Sequence, residues 1–194
     1  MTNPPAGQYV SRGGLKLASA AGKLNLDFKS KNVLDVGSST GGFTDYALQH
    51  GAAKVIAVDS GSNQLHPTLR INSKVELHEK TDIRTFSKVG TWSPDIILID
   101  VSFISLRQIL PAVAKLSTKN TQVVAMVKPQ FEASAKNLHK GVIKNDSIRR
   151  QTLKDFELWV KNYFVIMAKA DSEVPGSKGN LERFYLLRLS SSGR

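Results

Sequence analysis

The chain has 194 residues, 41% hydrophobic and 22% charged, proportions that exclude an intrinsically disordered or collagen-like chain and favour one domain over two. Its 27 Lys and Arg against 16 Asp and Glu leave a formal charge of +11, which favours a polyanionic partner such as nucleic acid or an anionic membrane surface. The absence of cysteine excludes a disulfide scaffold, a thiolate-ligated zinc site and a cysteine nucleophile.

The opening Met1 to Gly7 lacks the basic start and apolar run of an export signal, and no stretch reaches the ~18 apolar residues of a membrane span. The expected address is the cytoplasm. The positive charge is uneven. Residues 1–31 carry five basic residues and one acid, and residues 128–150 carry six and two, so each segment has a net +4. Residues 32–127, although the longest segment, are nearly balanced at +1. Two basic clusters flanking a neutral core suit a polyanion-binding rim better than they suit scattered solvated faces.

In chain order, residues 1–12 read as a linker, 13–190 as the functional domain and 191–194 as a tail. Leu15, Ala18, Ala21 and Leu24 recur at helical spacing, which predicts an amphipathic helix over 13–25. Short β-branched runs follow at 32–36, 54–58, 75–78, 96–99 and 122–127, with helical segments at 42–50 and 106–116. Strand alternating with helix predicts βαβ units, buried parallel strands and a doubly wound sheet. The pattern then changes to a helix over 147–162 and two closing strands at 164–168 and 184–189.

Ligands of open α/β sheets bind outside the carboxyl ends of the strands, so those ends carry the functional reading. The first run ends in Asp35, Gly37, Ser38, Ser39, Thr40, Gly41, Gly42 and Phe43, a glycine-rich turn into a helix. A Cβ at Gly37 or Gly41 is expected to fill space that a ligand needs. The turn has neither the spacing of a dinucleotide fingerprint nor that of a phosphate loop, so a nucleoside cofactor without a pyrophosphate fits better. Asp59 ends the second run, where an acid can accept from both ribose hydroxyls. Asp82 follows the third and can accept from an adenine amino group beside Ile83, although a turn or cap role is equally consistent with its spacing. Asp100 and Lys128 end the fourth and fifth runs. They read either as an ion pair joining adjacent strand ends or as an acid-base pair, in which partial desolvation favours the neutral amine and the acid orients it.

Four segments together resemble the hemolysin A (TlyA) family, grouped with the FtsJ-like ribose 2′-O-methyltransferases: Tyr9-Val-Ser-Arg-Gly-Gly-Leu-Lys16-Leu, Asp35-Val-Gly-Ser-Ser-Thr-Gly-Gly-Phe-Thr-Asp45, Asp100-Val-Ser-Phe-Ile-Ser-Leu106 and Val127-Lys-Pro-Gln-Phe-Glu132. The resemblance runs from about Tyr9 to Leu189. It implies a Rossmann-like class I methyltransferase fold, a mostly parallel seven-stranded sheet with helices on both faces. It also implies S-adenosyl-L-methionine as cofactor, ribosomal RNA or a ribosomal subunit as partner, and a catalytic tetrad on Lys16, Asp100, Lys128 and Glu182. In that tetrad Lys128 is the main base, and Glu182 rests on the closing Gly179-Asn180-Leu181-Glu182. The implied cofactor residues are Asp35, Gly37 to Phe43, Asp59, Asp82, Ile83 and Asp100.

Transfer from a sulfonium needs alignment rather than a metal, so no metal site is expected, and His50, His66, His78 and His139 read as surface or turn residues. The chain departs from the family at Ser62, where an aromatic residue is common, and at Arg183, where an apolar residue is usual. Family members commonly begin with a small RNA-binding domain, and this chain starts where that domain would end. Three other readings are a cytolysin, a non-catalytic RNA-binding protein that kept the fold, and a metal-dependent small-molecule O-methyltransferase.

Overall fold

Seven strands form one mixed sheet in the computed structural model, which describes residues 7–87 and 92–190. The chain runs α1 (Arg12–Ala21), β1 (Asn32–Val36), α2 (Gly42–Gln49), β2 (Lys54–Val58), α3 (Pro67–Arg70), β3 (Val75–His78), β4 (Ile96–Ile99), α4 (Leu106–Leu116), β5 (Gln122–Val127), α5 (Pro129–Glu132), α6 (Asp146–Val160), β6 (Phe164–Asp171) and β7 (Arg183–Leu189). The strand order is β3-β2-β1-β4-β5-β7-β6. The first five strands are parallel and β7 runs antiparallel to both neighbours, so the expected Rossmann-like, mostly parallel sheet is the one that forms.

The β-branched runs form central strands because both of their faces are covered. On one face Leu106, Ile109, Leu110 and Val113 of α4 join Leu153, Phe156 and Val160 of α6 against the sheet. On the other, Leu17, Ala20 and Ala21 of α1 and Phe43 and Tyr46 of α2 cover Val33, Val55, Ile96 and Leu98. Every residue of β4 is fully buried, so truncating any of its isoleucines to alanine is expected to cost about 2–5 kcal/mol. β3 departs from the expectation of buried strands. It is one of the two edge strands, and all four of its residues are only half-buried.

Helix ends follow local chemistry. Ser11 accepts from Gly13 N at 3.3 Å to start α1, and Ser105 and Asn145 cap α4 and α6 in the same way. The first helix stops at Ala21 rather than continuing to residue 25, because Leu24 and Asn25 leave it in turns, with Asn25 at φ +52°. The strand expected over 164–168 extends to Asp171, drawn on by pairing with β7 past a shift in register between Ile166 and Ala168.

Two topological facts place the site. The chain moves outward from β1 through β2 to β3 and then crosses back to β4, which opens a crevice beyond the carboxyl ends of β1 and β4. The antiparallel pairing of β7 with β5 then sets Val127 opposite Arg183, so the residue before β7 lies beside the residue after β5.

Candidate active site

Two cavities open at these strand ends. The first, about 450 Å³, is lined by Lys16, Asp35, Gly37 to Thr40, Gly42, Phe43, Asp100, Lys128 and Glu182 among others. The second, about 520 Å³, is lined by Gly37, Ser39, Asp59, Asp82, Ile83 and Asp100, with Val58, Val101 and Ile104 as apolar wall. Gly37, Ser39 and Asp100 belong to both, so the two cavities meet where β1 and β4 end.

All four residues of the implied tetrad line the first cavity. Lys128 caps the single-turn α5, and its Nζ lies 2.6 Å from Asp100 Oδ1 and donates to Ser102 Oγ at 2.7 Å. The contact with Asp100 is that of an ion pair rather than a directed hydrogen bond, since Oδ1 receives no proton along a favourable direction. Lys16 Nζ donates to Glu182 Oε2 at 2.6 Å, and both side chains are largely withdrawn from water, at 11% and 3% exposure. Two lysines and two acids from four separate segments thus form two ion pairs in one cavity wall.

The glycine-rich turn is a rigid shelf. Gly37 N donates to Val58 O at 2.8 Å, and Ser39 N donates to Asp59 Oδ2 at 2.7 Å with Ser39 in the left-handed region at φ +46°. The other Asp59 oxygen accepts from Gly61 N at 2.7 Å, so the carboxylate is oriented before any ligand arrives. The space that a Cβ would take is used differently from the expectation. At Gly37 it holds the main-chain oxygen of Asp100, 2.7 Å away, and at Gly41 it holds the side chains of Leu65 and Leu69. Gly41, which precedes α2 as its N-cap at φ +98°, lines neither cavity.

Asp35 is fully buried beneath this shelf. Its Oδ2 accepts from Thr44 Oγ1 at 2.6 Å while Oδ1 has no partner, and burial pushes its carboxyl up to about 7, helped by the nearby charge of Asp100. Ser38 Oγ is also buried without a partner. Asp82 does both things its position allows. It lines the second cavity, and it caps a turn by accepting from Arg84 N at 2.8 Å. The Arg84 guanidinium grips the same carboxylate and holds its pKa below the usual range.

Arg183 departs from the family pattern for a visible reason. It opens β7 directly after Glu182, and its side chain points away from that of Glu182 and binds both oxygens of Asp171 at 2.7 and 2.8 Å. Arg149 joins at 2.8 Å, and the two cations hold the Asp171 carboxyl down at about 2. Sequence reasoning missed three neighbours of the site: Ser102, Phe103 and Asn180. Phe103 is 90% exposed at φ +63°, its ring 5.2 Å from that of Phe131. Buried Asn180 donates to Gly141 O and accepts from Ile143 N, tying the basic 139–144 loop to the segment before Glu182. An exposed phenylalanine within Asp-Val-Ser-Phe and an Asn two residues from the implied acid were the available signals.

The model of the FtsJ-like methyltransferase family matches residues 9–189, nearly the whole chain and every residue just described. This chain belongs to the FtsJ-like methyltransferase family. Within that family it is 41% identical over 180 residues to the 23S rRNA (cytidine-2′-O)-methyltransferase TlyA of Campylobacter jejuni, covering 91% of this chain and 70% of that one. It is 37% identical over 179 residues to Hemolysin A of Brachyspira hyodysenteriae, covering 90% and 75%. A solved structure from Streptococcus thermophilus superposes with a TM-score of 0.92 at 40% identity, over 98% of this FtsJ-like chain and 70% of the other. In this methyltransferase three of the four histidines are spent locally: His50 stacks on Tyr46, His66 caps α3, and His78 bonds Glu76. Among the described residues no group of three or more His, Asp or Glu is placed to hold a metal ion, and no helix is long and apolar enough to cross a membrane.

Proposed function

We propose that this chain transfers a methyl group from S-adenosyl-L-methionine to a ribose 2′-hydroxyl of ribosomal RNA. One observation carries the reading: Asp100 stands in the wall shared by both cavities, with the Lys128 ammonium 2.6 Å away in the first. A donor in the second cavity and an acceptor in the first would therefore meet at this pair. The relatives named as cytidine-2′-O-methyltransferases support the same acceptor atom and the same class of RNA.

The residues fit the donor. Asp59, preset by two backbone N–H groups, retains lone pairs for ribose hydroxyls, and Ile83, Val101 and Ile104 offer an apolar slot for a purine. The unpartnered Asp35 Oδ1 and Ser38 Oγ, on the first-cavity side of the glycine shelf, are polar atoms left for a ligand that reaches past the shelf from the second cavity. When bound, S-adenosyl-L-methionine supplies a methyl group already activated on a sulfonium. Lys128 is the group placed to take the 2′-hydroxyl proton once its ammonium has released one to solvent, while Asp100 and Ser102 fix the direction of its nitrogen. The Lys16 ammonium, anchored by Glu182, adds positive potential where the alkoxide develops. Phe103 and Phe131 present aromatic faces on which the base of an extruded nucleotide can stack. Arg12 and Lys178 on the cavity wall, with Lys140 and Lys144 beyond it, form a cationic rim for the flanking phosphates.

The test is methyl transfer to ribosomes from cells lacking this protein, with ribose methylation mapped by nucleotide. Lys128→Ala and Asp100→Ala are each expected to reduce transfer by at least about a hundredfold, with calorimetric binding of S-adenosyl-L-methionine retained. Near-normal turnover by Lys128→Ala removes the proposed base. Lysis of red cells by the purified protein, undiminished in that variant, favours the activity that the Brachyspira hyodysenteriae relative's name describes.

A further inference from the structure

Lys128 and Asp100 are held together by more than their own charges. The segment after β4 runs from Asp100 to Leu106 at the head of α4, and the segment after β5 runs from Lys128 to Glu132. Each is pinned to its neighbour twice. At one end Lys128 meets Asp100 and Ser102. At the other, Glu132 accepts from Ser105 Oγ at 2.6 Å and from Leu106 N at 2.7 Å. Two strands of backbone with a crossbar at each end form a closed ring, and Phe103, at φ +63°, is its strained crest.

The second crossbar is deeply buried. The Glu132 side chain is 1% exposed, and its nearest cation, the Arg107 guanidinium, is 3.9 Å away, beyond direct hydrogen-bonding range. A buried carboxylate with no close counter-ion persists because both of its oxygens receive good donors. Burial raises its pKa, and the two donors pull the other way. The turn that carries it is stiff. Phe131 N donates to Lys128 O and Ala133 N donates to Pro129 O, so a displacement of Glu132 is transmitted to Lys128 through one short helical turn.

We infer that Glu132 is a positioning residue for Lys128: by clamping the head of α4 it sets the distance between the two strand-end segments, and so the aim of the Lys128 nitrogen toward the acceptor. This rests on the proposed role of Lys128 as base. Glu132 itself touches no reacting atom. It lies outside both cavity walls and acts through the ring.

Two measurements separate this inference from the reading beneath it. The first is methyl transfer to ribosomes from cells lacking the protein, comparing wild type, Glu132→Ala and Glu132→Gln. A glutamine keeps an oxygen for Leu106 N and gains an N–H for Ser105, so it preserves the clamp. Glu132→Ala is expected to lower kcat by about tenfold or more with KM for both substrates little changed, since a small misalignment at the reacting centre is felt in turnover, and Glu132→Gln is expected to recover most of it. The second needs no RNA: trace acetylation of the free protein, with the labelling of each lysine read by mass spectrometry. Lys128 is expected to label several-fold faster in Glu132→Ala than in wild type, with the Glu132→Gln pattern close to wild type and Lys16 unaffected.

Unchanged Lys128 labelling in folded Glu132→Ala overturns the inference, as does an unchanged kcat. If wild type fails to methylate ribosomal RNA, the functional reading falls while the labelling still decides the clamp. If Glu132→Ala does not fold, Ser105→Ala, which removes one of the two donors, replaces it. Wild-type labelling and turnover in that variant would overturn the inference equally.

Discussion

Lys16 and Glu182 stand 166 positions apart in the chain, yet their side chains meet at 2.6 Å, almost shut off from water. A buried pair of this kind does little for net stability and much for placement, because losing one partner leaves the other charge unpaired. The space around Glu182 is equally tight: a Cβ at Gly176 would lie 2.9 Å from its Oε1. Gly176→Ala is therefore expected to fold, since nothing about that residue's backbone requires glycine, but to push Glu182 off Lys16. Methyl transfer should fall by about tenfold or more while the melting temperature changes little. Wild-type turnover in this variant would show that the pair need not be held so closely.

Asp59 is expected to govern donor affinity rather than turnover. Its two oxygens already accept from Ser39 N and Gly61 N, so Asp59→Ala removes both the proposed ribose acceptor and the hold on the glycine shelf. Loss of a hydrogen bond to a charged group is worth about 1.5–3 kcal/mol, which predicts a roughly 10- to 100-fold rise in Kd for S-adenosyl-L-methionine by calorimetry. An unchanged Kd would locate the nucleoside elsewhere.

Asp35 links stability to pH. Its carboxyl is raised from 3.8 to about 7 in the folded chain, mainly by burial. Between those values the folded state holds a proton that the unfolded state has released. Stability contributed by this group is therefore complete below about pH 4 and declines as pH rises to about 7, by up to about 4 kcal/mol if burial is undiminished. Asp35→Asn, which stays neutral, should flatten the fall in melting temperature across that window in the absence of donor. Parallel profiles for the two proteins would contradict the assignment.

The affinity for RNA should fall steeply with salt, because each phosphate contact made by the cationic rim releases a counterion. If about four phosphates are engaged, raising salt from roughly 50 to 200 mM should weaken binding by about fiftyfold. The double variant Lys140→Ala, Lys178→Ala should make the slope shallower without altering donor binding. A flat profile in wild type would mean that the positive charge at residues 1–31 and 128–150 has another use.

Much of this arrangement was written locally. Alternating β-branched runs and helical segments specify the parallel half of the sheet, because central buried strands are apolar on both faces and most crossovers are helical, and five strand spans emerge at the residues their pattern predicts. Polar residues directly after those runs, Asp59, Asp100 and Lys128, are legible as candidate site residues for the same reason: an open sheet presents its ligand at those ends.

What the chain's local pattern left open was pairing across distance. Whether Asp100 and Lys128 merely bridge two strands or share a cavity depends on what else converges there, and that follows from the switch between β1 and β4 and the antiparallel insertion of β7. The same insertion turns Glu182 inward and Arg183 outward to Asp171, which no local pattern of residues 179–183 reveals. Gly37 and Gly41 look alike in sequence, yet one is pressed on a backbone oxygen and the other on leucine side chains. Local periodicity sets which faces must be buried. Only the closed tertiary structure, in which most buried polar groups are paired, decides which distant residues supply the partners.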